Sequence, residues 1–169
     1  AGVEISFKPG QKYIQFPYSK MPVGSKYPTF TVSYAKGISS LLGSDVDFDK
    51  WKFSIHDDVN FRIGGLMKYR IGVGGFINSK SVYIQDFQHF NGNLTAAASD
   101  YVNSFQLVSY YTFSNTNPLY VQAHLEHHFN GMLTNKIPYF RRLNWHLVAG
   151  TNTFYVDKDN HHVEVFAGI

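Results

Sequence analysis

The chain has 169 residues, no cysteine, a formal net charge of +3, and 16% charged against 17% aromatic residues. The length sets one domain as the expectation. The lack of cysteine excludes disulfides and thiolate chemistry, and basic residues that adjoin only at Arg141-Arg142 leave no electrostatic footprint for nucleic acid.

In chain order, residues 3–8 set Val3, Ile5 and Phe7 against Glu4, Ser6 and Lys8, a two-residue period that predicts a strand. Residues 9–24 are rich in turn formers, with Pro9-Gly10, Pro17, Pro22 and Gly24. Residues 29–36 alternate again, Phe30, Val32 and Tyr34 against Thr29, Thr31 and Ser33. Residues 37–50 read as a loop holding Asp45, Asp47 and Asp49. The clearest strand is 51–62, where Trp51, Phe53, Ile55, Asp57, Val59 and Phe61 alternate with Lys52, Ser54, His56, Asp58, Asn60 and Arg62. At about 12 residues it exceeds the usual strand of about 5–6 and suits a tilted strand crossing a bilayer.

Ile63-Gly64-Gly65 predicts a tight hairpin into a strand over 65–77, in which Gly72, Gly74 and Gly75 predict bulges or bends. Residues 78–103 have weak periodicity and read as a large loop. Strands follow over 105–113, 119–129, 145–155 and 163–169, with turns at 114–118 and 157–160 and a short amphipathic helical turn over 135–143. That makes eight strands and no helix of ordinary length. No apolar run approaches the 18 or more residues of a membrane helix. The chain starts and stops inside strand patterns, so 1–169 is expected to be one barrel segment truncated at both ends.

The fold class expected is all-β, an antiparallel transmembrane β-barrel. Alternation alone does not say which face is inside, and a small soluble barrel binding an apolar ligand shows the same period with the faces reversed. Long strands, bulky mixed polar faces, and Trp51, Trp145 and Tyr155 near strand ends favour the membrane. On that reading Lys52, His56, Arg62, Gln122, His124, Glu126 and His128 face the lumen. Phe53, Ile55, Val59, Phe61, Val121, Leu125, Leu147 and Val165 face lipid, with Asp57 the exception on the apolar face.

Candidate chemistry is sparse. His124, Glu126 and His128 alternate on one strand face, about 6.5–7 Å apart, and are the candidate metal ligands, with ordinary lumenal pairing as the competing reading. His161-His162 beside a turn is a weaker surface candidate. Asp45, Asp47 and Asp49 open like a calcium loop but lack the glycine and closing glutamate. Ser54 and His56 share the polar face, yet no Gly-x-Ser-x-Gly elbow is present. No catalytic residue and no cofactor are expected.

The run Leu125-Glu126-His127-His128-Phe129-Asn130-Gly131-Met132-Leu133-Thr134-Asn135-Lys136-Ile137-Pro138 resembles a known family, as do the stretches 41–51 and 88–93. The family comprises Bacteroidota outer-membrane proteins with a carboxypeptidase-regulatory-like N-terminal domain and a C-terminal barrel of unknown function, similar in layout to the BamA-like barrel superfamily. The resemblance implies the C-terminal part of a larger barrel of about 16 strands in the bacterial outer membrane. It implies a non-enzymatic scaffold or envelope-assembly module, with the lipid bilayer and other envelope proteins as partners. The Arg-Gly tip of the BamA-like families has no counterpart in 86–103, which holds Gly92 and Asn93, so an insertase role is not implied. The alternatives are the soluble barrel and an outer-membrane hydrolase.

Overall fold

Strict alternation over long stretches produces long antiparallel strands. In the computed structural model, residues 1–40, 43–92, 101–109, 111–132, 134–136, 143 and 145–169 are described. The described strands are β1 (Gly2–Phe7), β2 (Lys12–Gln15), β3 (Lys20–Gly24), β4 (Thr29–Gly37), β5 (Asp47–Asn60), β6 (Leu66–Ser81), β7 (Tyr120–His128), β8 (Val148–Tyr155) and β9 (His161–Gly168). Seven form one antiparallel sheet in the order β1-β4-β5-β6-β7-β8-β9, and β2 pairs only with β3. No α-helix occurs among the described residues, only single 3-10 turns at Arg62–Gly64, Ile84–Asp86 and Thr134–Lys136. β1 and β9 lie at opposite edges and do not pair, so the sheet is not closed into a barrel.

Opposed residues of antiparallel strands share a face, so the registers give two unlike surfaces. One row runs Thr29, His56, Arg70, His124, Asn152, Glu164 across six strands. The next row over runs Phe7, Phe30, Ile55, Ile71, Ala123, Thr153, Val163 across all seven, on the other face. The first face is covered where described residues of the β6–β7 connection fold back over it. There Phe90, Phe105 and Val108 pack with Tyr120 of β7 and Phe154 of β8 as the buried core, with Phe113 and Val156 at its margin. Phe90 stacks on Phe154 at 4.0 Å between ring centroids and Phe105 meets it edge-on at 5.1 Å. Each such ring contributes about 1.5–3 kcal/mol by burial.

Several expectations are corrected. Residues 105–113 form no strand among those described. Phe105 makes an isolated parallel bridge to Gly92 within the same connection, and the backbone N–H groups of Gln106 and Leu107 donate to Glu164 of β9. The 114–118 segment is therefore not a hairpin turn; Asn115 bridges Gln88. β5 begins at Asp47, so Asp47 and Asp49 are strand residues and not loop ligands: Asp49 binds Lys36 at 2.8 Å and Asp47 accepts from Asn78 at 2.9 Å. β6 has no bulge at its glycines. Gly74 is required because Tyr120 lies over it, a Cβ there falling 2.7 Å from the Tyr120 hydroxyl.

The turn-rich stretch hides the β2–β3 hairpin. The helical turn expected over 135–143 is reduced to Thr134–Lys136 as far as it is described; 137–142 lie outside the described residues. The tight β5–β6 reversal is as expected, closed by Phe61 N–H to Gly65 O at 2.8 Å, with Gly65 at a φ of 99°.

Candidate functional site

The described part of the β6–β7 connection lies against a sheet face that carries a row of polar side chains beside its aromatic core. The row containing His124, Asn152 and Glu164 holds it there. Asn152, fully buried, accepts from His124 Nδ1 at 3.0 Å and donates through Nδ2 to Glu164 Oε1 at 2.7 Å and to Ser104 O at 3.2 Å. Glu164 in turn receives the backbone N–H of Gln106 at both oxygens, 2.8 and 3.0 Å, and that of Leu107 at 3.0 Å. His162 approaches its Oε2 at 3.4 Å. A strand carboxylate thus takes two consecutive backbone donors of the connection, a charge-assisted arrangement roughly twice as strong as neutral hydrogen bonds. Phe105 packs on His124 at 4.7 Å between ring centroids, beside the latch. The lone pairs of Glu164 are spoken for, so its chemistry here is to hold a loop, not to take a proton.

A second cluster lies further along β7. Glu126, 7% exposed, sits 2.5 Å from His128 Nε2 and 3.7 Å from Lys68 Nζ. It lines a cleft of about 330 Å³ with His128, Tyr101 and Phe166. The three candidate metal ligands share this face but do not converge: His124 is engaged by Asn152, while Glu126 and His128 bind each other. Among the described residues no group of three or more His, Asp or Glu side chains is arranged to hold a metal ion. Ser54 and His56 lie on the same face with no hydrogen bond between them.

Lys52, His56, Gln122, His124, Glu126 and His128 all lie on the covered face by register. Arg62 does not. β5 ends at Asn60, and Arg62 sits exposed in the turn with a φ of 56°. Phe61, expected to face lipid, belongs to the same reversal and packs near His127. His127 faces the other way from His128, donating to Gly64 O at 2.9 Å and so tying β7 to that turn. Asn152 and Glu164 were not singled out from sequence. Asn152 sits between Thr151 and Thr153 in an alternation that marks its face but not its partners, which come from 48 residues away in the connection and from β9.

A family model described as the C-terminal domain of a family of unknown function (DUF5686) matches residues 1–169. Searches of the curated proteins and of the solved structures returned no match. The chain belongs to that C-terminal domain family.

Proposed function

We propose that this member of the family forms part of the wall of a bacterial outer-membrane β-barrel, as a non-enzymatic scaffold or envelope-assembly module of a larger protein. The observation that carries the reading is the inversion of burial between the two sheet faces. The covered face buries a polar row, with Asn152 0%, His124 3% and Glu164 4% exposed, beside the aromatic core of Tyr120 and Phe154. The uncovered face is apolar: Ile5 is 65%, Val163 64% and Val165 77% exposed. An apolar surface spanning seven strands far exceeds the patch that a water-soluble monomer ordinarily exposes, whereas lipid outside and a polar interior is the barrel arrangement.

The ends of that face fit the reading. Tyr34 pairs with Trp51 in register, and just beyond them Lys36 and Asp49 form an ion pair that also receives the Tyr34 hydroxyl at 2.6 Å. Aromatics beside charges mark a membrane boundary. Asp57, the exception of the sequence pattern, lies one residue past the last β4–β5 pair, Thr29–His56, at the opposite boundary. The free edges of β1 and β9 have no water to satisfy them in lipid, so in this reading further strands of the full protein complete the barrel, in a BamA-like layout in the Bacteroidota outer membrane. The described residues of the β6–β7 connection then lie in the lumen, latched to the wall through Glu164.

Fractionation of cells making the full protein tests this. Recovery from the envelope only with detergent is the expected result. Recovery as a monodisperse aqueous species without detergent overturns it in favour of a water-exposed barrel for an apolar ligand. Covalent labelling of Ser54 by a serine-directed phosphonate would move the reading to a hydrolase.

A further inference from the structure

Between β1 and β4 the chain leaves the sheet as the β2–β3 hairpin, which pairs with no other strand among the described residues. An isolated two-stranded hairpin is marginal in water, and every residue of these two strands is exposed. Ile14 pairs with Met21, and Phe16, whose N–H extends the ladder to Ser19 O at 2.8 Å, falls on their side by alternation. The opposite side carries Gln15 paired with Lys20 and the exposed Tyr13 paired with Pro22. Tyr18 projects from the tip with its full surface exposed. Over 8–28 the charged residues are Lys8, Lys12, Lys20 and Lys26, with no acidic residue.

The base of the hairpin is a built structure. The Ser25 hydroxyl donates to Pro9 O and accepts from Tyr27 N–H at 3.1 Å, strapping the incoming and outgoing strands together. Gly10, at a φ of 59°, lets the Tyr27 ring lie against the turn. The strap leaves an open cleft of about 520 Å³ between Lys12 and Lys26, floored by Gly24, Ser25 and Tyr27. The hairpin springs from the end of the sheet where Phe7 and Phe30 pair on the uncovered apolar face.

We propose that this hairpin is a lipid-headgroup site. Ile14, Phe16, Tyr18 and Met21 enter the membrane interface while Lys12 and Lys26 clasp the phosphate of an anionic phospholipid in the cleft. The charge pattern selects the occupant: two cationic side chains flank the cleft with no acidic residue in the segment, and apolar and aromatic side chains are beside them. Amphipathic segments of that make-up bind interfaces through apolar burial plus attraction to anionic lipid. The inference rests on the proposed membrane location, and the test separates the two.

Residues 1–169 hold no cysteine, so in the full protein, with any cysteine elsewhere replaced, Tyr18→Cys and, separately, Val32→Cys each carry a single polarity-sensitive fluorophore. Each labelled protein is reconstituted into phosphatidylcholine vesicles with and without phosphatidylglycerol. The expected result is a lipid-like emission shift at position 32 in both vesicles. At position 18 the shift should occur only with phosphatidylglycerol, weaken in high salt, and disappear when Lys12→Gln and Lys26→Gln are added. A water-like probe at position 18 in both vesicles, with a lipid-like probe at 32, overturns the hairpin site and leaves the barrel reading standing. Water-like emission at both positions overturns both. An equal shift at 18 in the two vesicles, or one present before vesicles are added, overturns recognition of the anionic headgroup.

Discussion

The Glu164 carboxylate of β9 holds the backbone N–H of Gln106 with both its oxygens, at 2.8 and 3.0 Å. A single side chain on the wall therefore fixes the position of a connection that leaves the sheet three strands away, after β6. Because Asn152 and His124 stand behind it in the same cross-strand row, the latch is stiff: each donor is itself oriented by the next. Hydrogen bonds to charged groups contribute about 1.5–3 kcal/mol each. Glu164→Ala should therefore release residues 104–107 while the sheet persists. Limited proteolysis should then cut within 101–109 at least tenfold faster than in the parent protein, with Glu164→Gln intermediate. An unchanged cleavage rate would show that the aromatic packing alone holds the connection.

The aromatic packing makes its own prediction. Phe154 is 1% exposed and lies between Phe90, Phe105 and Phe113. Truncating such a ring costs about 3–5 kcal/mol through lost burial and the cavity left behind. Phe154→Ala should lower the unfolding free energy of the reconstituted protein in urea by that amount, whereas Tyr155→Ala, facing the uncovered side, should not produce a core defect. Equal losses for the two would place the core elsewhere.

The β8–β9 turn carries the pH dependence. Asp157 Oδ1 accepts the backbone N–H of Asp159 at 3.0 Å and of Asn160 at 2.8 Å, and the Asn160 amide donates to both of its oxygens. These donors, with Asn117 reaching Oδ2 at 3.1 Å, hold the carboxyl below the usual carboxylate range. A folded-state pKa below the unfolded one means the turn is fully stabilised above the ordinary carboxylate range and loses that stabilisation as pH falls through the folded value. Hydrogen exchange at the Asn160 amide, corrected for intrinsic rate, should lose protection below about pH 4, and Asp157→Asn should flatten the dependence. Protection in the parent that is constant down to pH 2 would contradict it.

Much of the wall was legible because the register is nearly unbroken. The alternation of Trp51, Phe53 and Ile55 against Lys52, Ser54 and His56 needs only the two-residue period to assign faces, and the structure keeps it through β5. The connection was not legible for the same reason. Phe105 and Leu107 alternate as a strand would, but Phe105 and Val108 are the buried pair while Leu107 is 76% exposed. That spacing belongs to a segment crossing strands, and local period carries no record of what a segment packs on. Pro17 and Pro22 concealed the β2–β3 hairpin. Pro22 sits on a strand of a two-stranded ribbon, where a missing N–H is tolerated. The Glu164 latch had no local signal, since its donors are backbone amides 57 and 58 residues away.

The membrane reading is most directly tested by two neighbouring positions of β4. Val32 points to the uncovered apolar face, opposite Ile5 and Phe53, and is 53% exposed. Thr31 points to the polar face, between Ser6 and Ser54. If the uncovered face met water, Val32→Lys would be an ordinary surface change within about 0.5 kcal/mol. Facing hydrocarbon, the same lysine costs roughly 2–4 kcal/mol near midplane. Thr31→Lys lies on the polar face that also carries Lys52 and Arg70 and loses the hydroxyl contact with Ser6 at 3.0 Å. The expected outcome is that Val32→Lys lowers the yield of folded protein in vesicles severalfold while Thr31→Lys folds close to parent levels, read by protease resistance after reconstitution. Equal tolerance of the two lysines would mean that no hydrocarbon lies against Val32, and the inverted faces would need an explanation other than a bilayer.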